Sequence, residues 1–432
     1  MSRHNDGNDK IILHDASDDG IDRRGFLRCM AWAGTATAWG LSRGVLTSFA
    51  MSRIPSLSEA ELKSIFFAQI SDSHIGFSKD ANQDVTATLQ QAVDRLNALP
   101  HRPAFVLHTG DITQLAKAEE FDTAREVLKG VTSDRIFYVP GEHDVATDNG
   151  ASYLQRYGKG TSGGGWYSFD HSGVHFVGLV NVLNLKAGGL GSLGAEQIAW
   201  LKQDVSGLSS STPIVLFAHV PLWTVYPEWG WGTDDSELAL ALVRRFGSVT
   251  VLNGHIHKIM QKVEGNVSFH TAMSTAFPQP APGTAPSPGP MTVNPERLKS
   301  VLGITDVTFI PGRSALALVD ATLSGEPPAF EAATHEAMMK RQTSRKALVL
   351  GPNEIGIDNF QFNPAALTVK PGTRVTWINN DDVPHLIVNI QGRFTSPVLD
   401  SDQRFSTTLT KAGTFDYFCS LHPKMQGRIV VR

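Results

Sequence analysis

Aspartate, glutamate and histidine recur in short clusters separated by long apolar stretches: Asp72-Ser73-His74, Gly110-Asp111, Gly141-Glu142-His143-Asp144, His219 and Gly254-His255-Ile256-His257. Carboxylates and imidazoles in such number suit two borderline or hard metal ions such as Fe, Mn or Zn. They could not be buried together without metal to offset their charge and hydrogen-bonding needs. A second cluster has different chemistry. Val383-Pro384-His385 is followed, much later, by Cys419-Ser420-Leu421-His422-Pro423-Lys424-Met425. One soft thiolate, two imidazoles and a thioether select a copper ion, with the weakly bound methionine tuning its potential.

The first clusters all sit immediately after apolar runs that read as buried strands: Phe66 to Ile70, Phe105 to Leu107, Ile136 to Val139, Ile214 to Ala218 and Val249 to Leu252, with a further run at His175 to Val180. Between them, Asn82 to Leu99, Gln114 to Leu128, Ala195 to Val205 and Ser236 to Phe246 carry apolar residues at helical spacing. Alternating strands and helices predict an α/β domain, in which ligands collect at the carboxyl ends of the strands. The proline-rich stretch 278–290 excludes helix and central strand and reads as a long loop, because Ala315 to Leu323 still looks like a closing strand of the same domain. After a polar, basic stretch the pattern changes to short strands with turns: Leu367 to Lys370, Val375 to Ile378, Leu386 to Ile390, Phe405 to Leu409, Thr414 to Phe418 and Arg428 to Val431. The expected organisation is a leader over 1–50, a first domain over 65–335, a linker over 336–349 and a small all-β domain over 350–432.

The chain has 432 residues, 41% hydrophobic and 19% charged, which is enough to bury more than one core and excludes a mostly disordered or coiled-coil protein. A net charge of -4 argues against a partner bound through bulk positive charge, so no nucleic-acid polymer is expected. Arg23-Arg24 precedes the uncharged run Cys29 to Ser42 and then Ser48-Phe49-Ala50, a small-x-small cleavage pattern. This order resembles a twin-arginine export signal, and the run falls short of the ~20 residues that span a membrane. The expected destination is periplasmic or otherwise extracytoplasmic, with no membrane span after cleavage. Of the two cysteines, Cys29 leaves with the leader, and an unpaired Cys419 in an exported chain is explained by copper ligation.

Taken as a set and in this order, DxH, GD, GxHD, a single His and GHxH resemble the calcineurin-like metallophosphoesterase family over roughly residues 65 to 325, with the cyclic-nucleotide phosphodiesterase-like group the nearest in pattern. The resemblance implies a four-layer αββα sandwich. It further implies that Asp72, His74 and His257 hold one ion, that Asp111 bridges the pair and that Glu142, His219 and His255 hold the other. His143 would stay off the metals, meet the substrate phosphate and protonate or stabilise the leaving oxygen, while Asp144 would orient its ring. A metal-bound hydroxide would attack the phosphorus of a small phosphomonoester or phosphodiester in line. His101, His108, His171, His175, His270 and His335 match no ligand position and read as structural. Trp223, Tyr226, Trp229 and Trp231, just after His219, are candidates for the mouth of the site, though core packing suits them equally.

One position departs from the family. Glu142 stands where the pattern usually has asparagine, so Asp72, Asp111 and Glu142 together bring three negative charges against the four positive charges of two divalent ions. Either a trivalent ion restores the balance, or the site is detuned and the chain is a non-hydrolytic redox or metal-binding protein. Residues 350 to 432 are similar to the cupredoxins, with a short ligand loop of the amicyanin kind. That likeness implies a small Greek-key domain with His385, Cys419 and His422 as equatorial copper ligands, Met425 as the axial one, single-electron transfer and a redox partner protein.

Overall fold

A computed structural model describes residues 64–309, 316–325 and 348–432 in full, and the backbone of 37–42 and 45–50. Thr37–Ser42 and Val45–Ala50 pair as antiparallel strands. The arginine pair and Cys29 of the expected leader, His335 and most of the expected linker lie outside the described residues.

From residue 64 onward the apolar runs do form strands, and their two-residue alternation builds layers. In Ile65–Ile70, Ile65 and Phe67 point to one face, Ala68 and Ile70 to the other, and both faces are buried. This strand is the centre of a five-stranded sheet in the order Ala317–Thr322, Gly303–Phe309, Ile65–Ile70, Val106–His108, Ile136–Tyr138, the last three parallel. A six-stranded sheet runs Gln261–Glu264, Val267–Thr271, Val249–Asn253, Ile214–Phe217, Val174–Gly178, Tyr167–His171, with its middle four strands parallel.

Phe67, Leu107, Val139, Phe176, Val215, Leu252 and Val307 fill the space between the two sheets. Helices Val85–Asn97 and Ala118–Leu128 cover the outer face of the first sheet, and Ala195–Ser206 and Ser236–Val243 that of the second. Val85, Leu89, Ala92, Val93 and Leu96 make the buried stripe of the first of these helices, and Asp84 caps its start by accepting from the Ala87 amide at 2.9 Å. The result is the expected αββα sandwich. The helix expected from Gln114 starts only at Ala118; Gln114 lies in the loop before it, where its side chain bonds His74.

The C-terminal part is all β. One four-stranded sheet runs Gln361–Asn363, Glu354–Asp358, Thr373–Asn379, Arg404–Leu409, and the other Ala366–Val369, Gln426–Val431, Gly413–Cys419, Ile387–Asn389. Trp377, Tyr417, Ile429 and Phe362 pack between them. Residues 278–290 carry neither helix nor strand, as their prolines require.

Candidate metal centres

The clusters that end the strands of both sheets of the sandwich converge. Asp72, His74 and His257 form one group, Glu142, His219 and His255 another, with ligand atoms within 4.8 Å of each other inside each group. Asp111 stands between them: its Oδ2 is 3.5 Å from His74 Nε2 and 3.3 Å from His219 Nε2. His257 Nε2 lies 3.4 Å from Asp72 Oδ1 and 3.2 Å from His74 Nε2. His219 and His255 each come within 3.0 Å of a Glu142 oxygen.

The local backbone is bent to make this possible. Asp72, His74, Asp111, His255 and His257 all adopt left-handed φ between 41° and 71°, a conformation that costs about 1–3 kcal/mol each for non-glycine residues and persists only where the surroundings enforce it. Two motif glycines permit the close approach of the strand ends. A Cβ on Gly141 would overlap the Asp111 carboxylate, and one on Gly254 would overlap the Ser71 hydroxyl.

A second ring of hydrogen bonds fixes which nitrogen each imidazole presents. His74 Nδ1 bonds Gln114 Oε1 at 2.9 Å, His219 Nδ1 donates to the Thr109 carbonyl at 2.7 Å and His257 Nδ1 donates to the Phe277 carbonyl at 2.6 Å. Their Nε2 atoms therefore face the centre with a free lone pair. Glu142 Oε2, His219 Nε2 and His255 Nδ1 are buried yet make no hydrogen bond of proper geometry despite their short separations. Their donor atoms cluster within 4.8 Å of one another, an arrangement that could hold a metal ion.

Charge follows the same logic. Burial alone would raise the Asp72 carboxyl, but His257, His219 and His74 hold it well below the usual range. Burial holds His74 down to about 3. Burial also opposes charge on His219, yet Asp111 and Glu142 raise it well above an ordinary imidazole.

His143 is buried, lines the same cavity and comes within 4.8 Å of the His74 and Asp111 ligand atoms. Its backbone N–H donates to Asp111 Oδ1 at 3.0 Å and its Nδ1 donates to the Gln114 carbonyl at 2.8 Å, leaving Nε2 for the cavity. Burial opposes its charge, but Asp111, Glu142 and the Gln114 carbonyl raise it above the ordinary value. Here one expectation is corrected. Asp144 does not orient the His143 ring: its carboxylate accepts from the amides of Ile112, Thr113 and Gly141 and from the Thr113 hydroxyl at 2.8–3.1 Å. It ties the ligand loops together, and Gln114 does the orienting that the family resemblance implied for Asp144.

Trp229 and Trp231 line the cavity, whereas Trp223 packs on Phe269 and Tyr226 stands edge-on to Trp229. The described extra histidines have other partners. His108 bonds Ser73, His175 pairs with Asp170 and Asp204, His270 pairs with Asp320, and His101 and His171 pack on Phe66 and Phe105.

In the β domain, His385 Nδ1 and His422 Nδ1 lie 3.5 and 3.6 Å from Cys419 Sγ and 3.3 Å from one another. Met425 is buried beside them, its carbonyl accepting from the Cys419 amide at 3.1 Å. The donor set is the one copper prefers, and Cys419 is buried and unpaired. Asp381 escaped the sequence reading. Its carboxylate accepts from His385 Nε2 at 2.9 Å and from the amides of Asn359 and Phe360, and its signal was an acidic residue four positions before the ligand. Against burial, Asp381 and Cys419 push His385 up to about 9.

The two centres are neighbours. His422 and Phe360 line the cavity of about 30 Å³ at the first centre, together with His74, Asp111, Glu142 and His143. The His422 and His143 rings are 6.5 Å apart.

Residues 67–259 match the calcineurin-like phosphoesterases, and residues 351–432 match the copper-binding proteins of the plastocyanin/azurin family. Amicyanin of Paracoccus denitrificans is 37% identical over 82 residues, 18% of this chain and 63% of that protein. Amicyanin-alpha of Methylorubrum extorquens is 33% identical over 86 residues, 19% of this chain and 72% of that protein. The glycerophosphodiester phosphodiesterase GpdQ of Enterobacter lignolyticus is 26% identical over 228 residues, 50% of this chain and 79% of that protein. The chain spans a little under two thirds of the Paracoccus amicyanins, 63% and 62%. The sequence matches and the two side-chain constellations agree: one chain joins a calcineurin-like phosphoesterase domain to a cupredoxin of the plastocyanin/azurin family.

Proposed function

We propose that the chain is an exported phosphoesterase that hydrolyses a small phosphoester at a pair of metal ions and carries a type 1 copper, electron-transferring domain on the same polypeptide. The observation that carries this reading is the convergence of unbonded, buried ligand atoms of Glu142, His219 and His255 beside Asp111, with His143 against the same cavity. A bound pair of ions supplies Lewis acidity and a water nucleophile at neutral pH. The protein's own residues do the rest. Asp111 spans the two ligand groups, and Gln114 fixes His143 with Nε2 toward the substrate. With Nδ1 bonded to Gln114, the Nε2 of His143 is the nitrogen placed to protonate or stabilise a leaving oxygen. A phosphodiester is the favoured substrate class, supported by the likeness to GpdQ, whose name makes it a glycerophosphodiester phosphodiesterase.

Export by the twin-arginine route rests on Arg23-Arg24 and the uncharged run after it. Among the described residues no helix is long and apolar enough to cross a membrane. The domain limits 65–335 and 350–432, and a redox partner protein for the copper domain, belong to the same proposal. The second reading, a non-hydrolytic redox or metal-binding protein, is favoured by Glu142, whose carboxylate adds a negative charge to the centre, and by the copper ligand His422 standing in the cavity wall.

The test is turnover of a generic aryl phosphodiester and monoester by the chain loaded with copper and with Fe, Mn or Zn, beside His143→Ala. The expected outcome is hydrolysis by the wild type and a loss of about 10²–10⁴-fold in kcat in His143→Ala with metal content unchanged. Full loading without hydrolysis of either ester would hand the site to the second reading.

A further inference from the structure

We infer that His422 is shared by the two centres, a copper ligand on one edge and a wall of the phosphoesterase cavity on the other, so that the charge on copper sets how tightly that cavity holds an anion. The inference rests on the reading that the cavity binds phosphate. His422 directs Nδ1 at Cys419 and His385, so its opposite edge is turned away from the copper ligands. That ring lies 6.5 Å from the His143 ring. It also borders an adjoining cavity of about 210 Å³ that reaches Glu142 and His255. The space at the ligand pair itself is only about 30 Å³, enough for one or two waters. A phosphate that reaches the pair must therefore lie against His422 or extend past it into the larger cavity.

The contact is held from both sides of the ligand. The Gly188 amide donates to the Pro423 carbonyl at 2.6 Å, Lys424 Nζ donates to the Gly188 carbonyl at 2.7 Å, and Ala146, just after the Glu142–Val145 turn, packs against the core of the copper domain. Phe360 packs edge-on against His422 with ring centroids 4.6 Å apart and lines the same cavity.

Oxidation of Cu(I) to Cu(II) gives one electron to the electrode or external oxidant and leaves one more positive charge behind His422. In partly buried surroundings with an effective dielectric constant of about 20, such a change shifts anion affinity roughly tenfold. Coupling is reciprocal, so the anion must favour Cu(II) by the same factor and lower the copper reduction potential. Tenfold corresponds to about 59 mV for one electron.

The experiment follows the copper potential spectroelectrochemically, on the fully loaded chain, with and without inorganic phosphate, while calorimetry reports phosphate binding to each oxidation state. The expected result is a fall of about 59 mV at saturating phosphate and about tenfold tighter binding to the Cu(II) form. Phosphate that binds equally to both forms and leaves the potential in place overturns the coupling while sparing the phosphoesterase reading. Phosphate that fails to bind at all overturns the reading of the cavity, and the coupling with it. A sample carrying copper alone must show no phosphate effect; a shift there would put the anion on the copper and contradict the shared wall.

Discussion

Glu142 brings a third carboxylate to Asp72 and Asp111, and its two oxygens stand 3.0 Å from His219 and His255. Burial would raise its proton affinity, but those two imidazoles hold it well below the usual range, so it is ionised at neutral pH. An ionised ligand removes one positive charge from the centre and weakens its hold on phosphate. Glu142→Asn, loaded with a divalent pair, is therefore expected to bind inorganic phosphate more tightly and to hydrolyse an aryl phosphodiester several-fold faster than the wild type. A lower rate with full metal occupancy would mean that Glu142 serves hydrolysis as it stands. The ligand types were legible in the sequence because each cluster ends an apolar run. The supporting residues were not. Gln114 and the carbonyls of Thr109 and Phe277 act through hydrogen bonds that cross between loops, Asp144 holds amides that no motif names, and Asp381 offered only its place four positions before His385.

At the scale of elements, the sandwich brings ligands together because the two sheets present their ligand-bearing loops to one crevice. Strands with continuous apolar runs were legible. The buried strands Val267–Thr271, Gly303–Phe309 and Glu354–Asp358 were not, because polar residues or glycine interrupt their apolar pattern, nor were the edge strands Tyr167–His171 and Gln261–Glu264, whose side chains are polar and partly or wholly exposed. One pairing across the last two strands of the larger sheet makes a stability prediction. His175 is buried between Asp204 at 2.8 Å and Asp170 at 2.9 Å, and although burial opposes its charge the two carboxylates raise its proton affinity. A raised imidazole stabilises the fold fully below its unfolded value of about 6.5 and loses that contribution as pH rises through the folded value. His175→Gln should thus lower the denaturant midpoint more at about pH 6 than at about pH 9. An equal loss at both would show that His175 contributes packing and not charge.

At the scale of the molecule, the seating of the copper domain against the phosphoesterase cavity was outside what the sequence could reveal. Each domain carries its own motif, but the surfaces that join them are short loops: Lys424 meets Gly188 across 236 positions with nothing in composition or periodicity to mark the pair. The consequence is that His422 of the β domain lines the cavity that also holds His74, Asp111, Glu142 and His143. The most direct test is anomalous diffraction from crystals of the fully loaded chain, collected at the copper edge and at the edge of the second metal. One copper peak among His385, Cys419 and His422, two peaks flanking Asp111, and the His422 ring between them are expected. Copper found in the Asp111 centre, a single ion there, or a copper domain standing clear of His143 would contradict this arrangement.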